Sequence, residues 1–158
     1  MNAFKEGFEK SRHSVCYNGD IFRRKDYDRL VKEYLDLDKI MMGRGIMMNP
    51  FLMEEIADGT SQKVSGKMSA ARKADRLEKF HRLLCDGYTH VMSGDRPVLF
   101  KMKELWAYMA YLFEDCRKYV KRIRKALSFT EYEDAVRELF SSCRIMEGAG
   151  FAGREMPA

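Results

Sequence analysis

The sequence predicts an α/β segment of two parallel βα units followed by an all-α segment, with helix predominating overall. Three observations carry this reading. Two short apolar runs, residues 14–17 and 39–42, each close on a glycine-bearing turn. One amphipathic stretch separates them, as a crossover between parallel strands requires. After a polar break, a helical apolar period continues almost to the C-terminus.

Ser14, Val15, Cys16 and Tyr17 form the first run, and Lys39, Ile40, Met41 and Met42 the second. Continuous runs of this kind belong to strands buried on both faces of a parallel sheet. Between them, Tyr27, Leu30, Val31 and Tyr34 recur at the spacing of one helix face and supply the crossover. The helix of the second unit begins near residues 49–52. Asn49 is placed to cap it, and Pro50 falls in its first turn, where no backbone donor is needed.

Residues 58–68 are polar, contain Gly59 and Gly66, and lack a periodic apolar pattern, so they read as a linker. A first bundle helix follows from a Ser69 cap, with Leu77, Phe80, Leu84, Tyr88 and Val91 as its apolar stripe. It stops at the Ser93, Gly94, Asp95, Arg96, Pro97 break. Leu99, Met102, Trp106, Met109 and Phe113 form the next stripe, and Val120, Ile123 and Leu127 a shorter third. Thr130 with Glu133 resembles a capping box ahead of Tyr132, Val136, Leu139, Cys143 and Met146. Four amphipathic helices with short connections predict an antiparallel four-helix bundle over residues 69–146. The glycine-rich tail, residues 147–158, is expected to fray.

The turns carry the first functional signal. Gly19, Gly43 and Gly45 lack a Cβ, so their backbone can approach an anion and take the dihedrals that aim amides at it. Arg44 adds a guanidinium that holds phosphate through two nitrogens. Two such turns one βα unit apart read as a phosphate grip at one end of a parallel sheet, although each alone reads equally as an ordinary strand-to-helix turn. The second signal is residues 117–125 (RKYVKRIRK), in which six of nine residues are basic and none is acidic. Lys118, Arg122 and Lys125 share one helical face, with Lys121 and Arg124 beside it. Such a face displaces counterions from a phosphate backbone, and it is equally a pattern of solvated helices.

Composition narrows the classes. The four cysteines, Cys16, Cys85, Cys116 and Cys143, are widely spaced, so neither a zinc cluster nor a secreted disulfide framework is indicated. No apolar stretch approaches the roughly 18 to 20 residues of a membrane helix, and a soluble, cytoplasmic protein is expected. The net charge is +5, and residues 69–146 hold 16 Lys and Arg against 11 Asp and Glu. That excess suits an anionic partner. His81 and Cys85, four apart on a helix, lack further ligands and read as incidental. Trp106 lies on the apolar stripe and reads as core, leaving the off-stripe Tyr108 and Tyr111 as the exposed aromatics. Met41, Met42, Met47 and Met48 read as gap fillers around the strands.

Residues 15–21 (VCYNGDI), 40–52 (IMMGRGIMMNPFL) and 94–106 (GDRPVLFKMKELW) together resemble the C-terminal part of a bacterial tRNA-dihydrouridine synthase. The resemblance runs from about residue 3 to about residue 146, nearly the whole chain. It implies the last two units of a (β/α)8 TIM barrel at residues 1–57, then a helical tRNA-binding domain at 69–146. Members of that family reduce particular uridines of tRNA to dihydrouridine using FMN and NADPH or NADH. By the resemblance, Asn18, Gly19 and Asp20 match the loop after strand seven, and Gly43, Arg44 and Gly45 the loop after strand eight. Both would hold the phosphate end of FMN. Asp20 is then a turn-stabilising residue rather than a general base. Lys118, Lys121, Arg122, Arg124 and Lys125 would meet tRNA, because the family's helical domain contacts it.

Residues 2–12 correspond in the resemblance to the end of the helix before strand seven. A full barrel takes about 250 residues, and this chain has 158, so it is expected to lack the first six units. Those carry the flavin-ring contacts and the proton-donating cysteine, with which Cys16 is not equated. On this reading the chain does not catalyse the reaction alone, and its two strands are loosely ordered, self-associated or completed by another chain. Two alternatives remain open at this point: a non-catalytic RNA-binding helical protein, or a remnant of another FMN barrel such as the dihydroorotate dehydrogenase type.

Overall fold

The computed structural model describes residues 2–60 and 68–146. The expected tail, and residues 61–67 of the expected linker, lie outside the described residues. The elements run α1 (Asn2–Lys10), β1 (Cys16–Asn18), α2 (Arg24–Glu33), β2 (Lys39–Met41), α3 (Gly43–Met48) and α4 (Leu52–Thr60). They continue with α5 (Ala70–Val91), α6 (Asp95–Met109), a short 3₁₀ helix (Ala110–Leu112), α7 (Arg117–Lys125) and α8 (Phe129–Ser142). Helix predominates, as expected. The first three residues of the expected linker, 58–60, belong to α4.

The crossover pattern at Leu30 and Tyr34 does produce a parallel pair. Cys16 aligns with Lys39, Tyr17 with Ile40 and Asn18 with Met41. Ile21, Leu30, Tyr34, Met42, Leu52 and Ile56 form the core beneath it. Phe4 and Phe8 of α1 meet the Tyr34 ring edge-on at 5.3 and 5.5 Å. The strands are not buried on both faces, contrary to expectation. Cys16, Asn18 and Lys39 are exposed and Met41 is 52% exposed, because the described helices cover one face of a sheet only two strands wide. Of the four methionines read as gap fillers, Met42 and Met48 are buried, whereas Met41 and Met47 reach solvent.

Asn49 acts as the sequence implies. Its Oδ1 accepts the Phe51 N–H at 3.1 Å and its amide donates to Glu55 Oε2 at 3.0 Å, so this fully buried polar group is satisfied. At the other end of the crossover, the Asp26 carboxylate accepts the Phe22 and Arg23 N–H groups at 3.2 and 3.0 Å. That fixes the path from β1 into α2.

The second core is built on α6, where Leu99, Met102, Trp106 and Met109 are buried as their spacing predicts. Leu77, Val120, Ile123, Tyr132 and Leu139 close around them. Three stripe assignments fail. Phe80 and Val91 are exposed because α5 is rotated to bury Leu77 and His81 instead. Leu127 is 88% exposed because α7 ends at Lys125 and Leu127 lies in the connection to α8. The α8 cap falls two residues earlier than expected: Ser128 Oγ accepts the Glu131 N–H, and the Glu131 carboxylate accepts the Leu127 N–H.

The two cores touch. Phe51 enters the second core, with Lys73 and Arg76 over its ring at 5.6 and 5.4 Å. Arg76 holds Glu54 through two nitrogens at 2.7 and 2.6 Å, and Lys73 holds Glu55 at 3.0 Å. Phe22, Met48 and Tyr111 form a third cluster at the same junction. Tyr111 is therefore buried, contrary to expectation, while Tyr108 packs beside it half-buried.

A buried polar chain spans the second core. Trp106 Nε1–H donates to Tyr132 Oη at 2.9 Å, and Tyr132 Oη lies 2.6 Å from His81 Nε2. Burial, reinforced by the Arg82 charge, pushes the His81 imidazole down to about 4. Two outcomes follow from this chain. Tyr132→Phe leaves the indole N–H and the imidazole unpaired and is expected to cost about 2 to 4 kcal/mol, read from the urea midpoint at unchanged m. Because His81 stays neutral in the fold, the unfolded chain takes up a proton that the folded chain refuses as pH falls from 6.5 towards 4. Stability should drop by about 3 kcal/mol across that window and the loss should level off below it. His81→Gln should lack that component in a pH series of melts.

Candidate phosphate and nucleic-acid sites

The two glycine turns leave the C-terminal ends of β1 and β2, and parallel pairing sets these ends side by side. The Arg44 guanidinium donates to the Asp20 carboxylate, with both side chains more than half exposed. Asp20 is thus a tether for Arg44 across the two turns. Asn18 is exposed at the end of β1, level with Met41.

The glycines act differently from the sequence reading. Gly43, Arg44 and Gly45 form the first turn of α3 rather than an open loop. None of the three site glycines has a left-handed φ; among the described residues that conformation belongs to Gly94 and Asp115. Gly45 is buried, and a Cβ there would lie 2.0 Å from the Ile21 carbonyl oxygen and 3.0 Å from Leu52 Cδ2. Its requirement is close packing of α3 on the turn after β1. A Cβ on Gly43 meets nothing within 4 Å, and the atoms nearest to one on Gly19 belong to the Tyr17 side chain. Met42 places no side-chain cap on the first amides of α3. An exposed guanidinium, uncapped amides and open space above Gly43 form a donor set that fits a phosphate group.

On α7, Tyr119, Val120 and Ile123 face the core and the five predicted cations are exposed. Lys118, Lys121, Arg122 and Lys125 line a surface groove of about 590 Å³ between α7 and α8, opposite Glu131 and Asp134. Arg124 is not part of that lining; its charge acts on the Tyr111 phenol. Arg122 pairs with Glu138, and the bond holds the Glu138 carboxyl below its ordinary range. The Lys118 ammonium sits 4.6 Å above the Tyr119 ring. Lys121 and Lys125 have no ion-pair partner among the described residues. Lys103 donates to the Ala126 carbonyl and satisfies the end of α7.

Sequence reasoning missed the polar cavity beside His81. It lies between α5 and α8, has a volume of about 230 Å³, and is bordered by Cys85, Asp86, Tyr132 and Glu133 as well as His81. The available signal was a histidine within an apolar helix face together with a tyrosine and the lone tryptophan on other stripes. Around the His81 and Cys85 pair, no group of three potential metal ligands converges among the described residues. Burial pushes the Cys85 thiol above its ordinary value, so it is no activated nucleophile either.

Compared with known protein families, residues 5–144 match the family described as dihydrouridine synthase (Dus). No curated protein matches the chain.

The glycines supply a direct check on the geometry of the turns. Gly45→Ala should cost about 2 kcal/mol or more, because backbone must move to admit the methyl group. Gly43→Ala should stay within about 1 kcal/mol of the parent protein. Thermal melts of the two variants measure the contrast.

Proposed function

The chain belongs to the dihydrouridine synthase family, and from that premise we propose that it holds the phosphate end of FMN and presents a tRNA-binding helix to the substrate. On this reading β1 and β2 are two strands of a parallel barrel, and further strands would cover the exposed side chains of Cys16 and Met41. Residues 1–57 and 69–146 act as the flavin-binding and RNA-binding parts. The observation that carries the reading is the Arg44–Asp20 bridge across two turns at one end of a parallel pair. It stands within a chain whose family match spans both parts.

Arg44 supplies charge and directed N–H donors to the phosphate, with Asp20 orienting the guanidinium from the neighbouring turn. The first amides of α3 at Gly43 and Gly45 add donors, and Asn18 and Gly19 border the group from the β1 side. FMN bound there would supply hydride transfer from NADPH or NADH to a tRNA uridine, and with a proton added at C5 the product would be 5,6-dihydrouridine. The residues of this chain bind and orient the cofactor at the end remote from that exchange. Substitution of Arg44 should therefore act on FMN affinity.

The α7 groove supports the RNA part. Lys121 and Lys125 are exposed and without an ion pair among the described residues, Lys118 is exposed but rests over the Tyr119 ring, and Arg122 must first give up Glu138. Arg124 would contribute from the flank of the helix.

The test is tRNA binding across a salt series. Affinity should fall with salt, and Lys118→Gln, Lys121→Gln and Lys125→Gln together should reduce the log–log slope by about 2 to 3. Arg122→Gln should act less than any of these lysines. An unchanged slope in the triple variant would remove α7 from the interface. In parallel, Arg44→Ala should weaken FMN binding, followed by quenching of flavin fluorescence, without changing the tRNA salt slope.

A further inference from the structure

The His81 cavity has a donor and acceptor pattern that can be read from its hydrogen bonds. Trp106 Nε1 can only donate, so Tyr132 Oη accepts from it and has its own proton to place. The group 2.6 Å away is His81 Nε2, and it is assigned as the unprotonated nitrogen because it is the acceptor within reach of that hydroxyl. The imidazole is thereby fixed as the Nδ1–H form. Among the described residues none accepts that N–H, although His81 is only 7% exposed. His81 borders the cavity, and Nδ1–H is the donor that its other hydrogen bond leaves for an occupant. A metal ion would first have to displace the proton from that nitrogen.

The acceptors are carboxylates. Glu78 and Arg82 are paired with each other at 3.7 Å, and Arg137 is paired with Asp134 at 3.0 Å. Asp86 and Glu133 carry no ion pair among the described residues. A free phosphate would meet two unpaired carboxylates and is disfavoured. A cation would meet the His81 donor. The lining asks for a neutral group with one acceptor beside two N–H donors.

We propose that this cavity is a subsite for a guanine base. Guanine alone among the common bases presents a carbonyl acceptor followed by two N–H donors on one edge, matching His81 Nδ1–H and the carboxylates of Asp86 and Glu133. Adenine and cytosine place a donor where His81 needs an acceptor, and uracil lacks the second donor. The volume, about 230 Å³, is below the roughly 300 Å³ where drug-sized pockets begin and suits a single heterocycle. Glu133 and Val136 of α8 border this cavity, while Glu131 and Asp134 of the same helix border the α7 groove. A strand crossing α8 can therefore lay phosphates along α7 and turn a base in against α5. The inference rests on the RNA reading only for the source of the base.

Free GMP tests the cavity without α7. The probe is the His81 imidazole signal in nitrogen-correlated NMR, titrated with GMP, IMP and AMP, and with a short single-stranded RNA carrying one guanosine. GMP should shift the Nδ1–H resonance and bind roughly tenfold more tightly than AMP, with IMP between them because it lacks the second donor. Asp86→Asn with Glu133→Gln should abolish the GMP response while the circular dichroism spectrum and melt stay unchanged. Tighter binding of the RNA than of GMP identifies an unpaired guanosine as the ligand, and binding of GMP alone identifies a free nucleotide. If His81 ignores both probes at millimolar concentration, or the double variant binds as before, or AMP matches GMP, the subsite is overturned. Neutralising Lys118, Lys121 and Lys125 should leave the GMP response intact, so failure of the α7 interface is distinguishable from failure of the cavity.

Discussion

Close contact between the first turn of α3 and the backbone after β1 organises everything around it. With Gly45 seated against the Ile21 carbonyl, α3 is drawn over the first turn, and Arg44 comes beside Asp20. The same placement turns Met48 towards Phe22 and Tyr111, and the chain then carries Phe51 into the helical core. A side chain at residue 45 would oppose all of these at once, because the obstacle is backbone and cannot rotate away. Arg76 and Lys73 then close the junction by pairing with Glu54 and Glu55 over the Phe51 ring.

Charge pairing separates structural from available cations. Arg76 and Lys73 are committed to the junction, Lys103 to the end of α7, and Arg122 to Glu138. Exposed pairs of this kind contribute little stability singly, so Glu138 is better seen as a local competitor for any incoming phosphate. Lys121 and Lys125 face no such competitor. The helix is therefore less uniformly available than its run of six basic residues implies.

The helical core depends on a polar chain as well as on apolar packing. Trp106, Tyr132 and His81 come from α6, α8 and α5, and their hydrogen bonds require one relative rotation of the three helices. That rotation carries Phe80 to the surface. It also sets His81 in the lining of a cavity that Asp86 and Glu133 share.

Local pattern determined much of this protein. The crossover face of Tyr27, Leu30 and Tyr34, the parallel pair it demands, the turns placed together at one end, and the core of α6 all follow from residues within a few positions of one another. The motifs at residues 15–21, 40–52 and 94–106 also carried the family, which the match over residues 5–144 supports. Tertiary structure decided the rest: that Gly45 serves packing, that Asp20 holds Arg44, that Tyr111 is buried, that Arg122 is engaged and Lys125 is not, and that His81 belongs to the core. These facts depend on partners distant in the sequence, from Arg122 and Glu138, 16 residues apart, to Tyr111 and Phe22 in opposite halves of the chain. Helical and strand periods report only which face of an element is apolar, and a buried histidine or a neutralised arginine differs from an exposed one only through what another element brings to it.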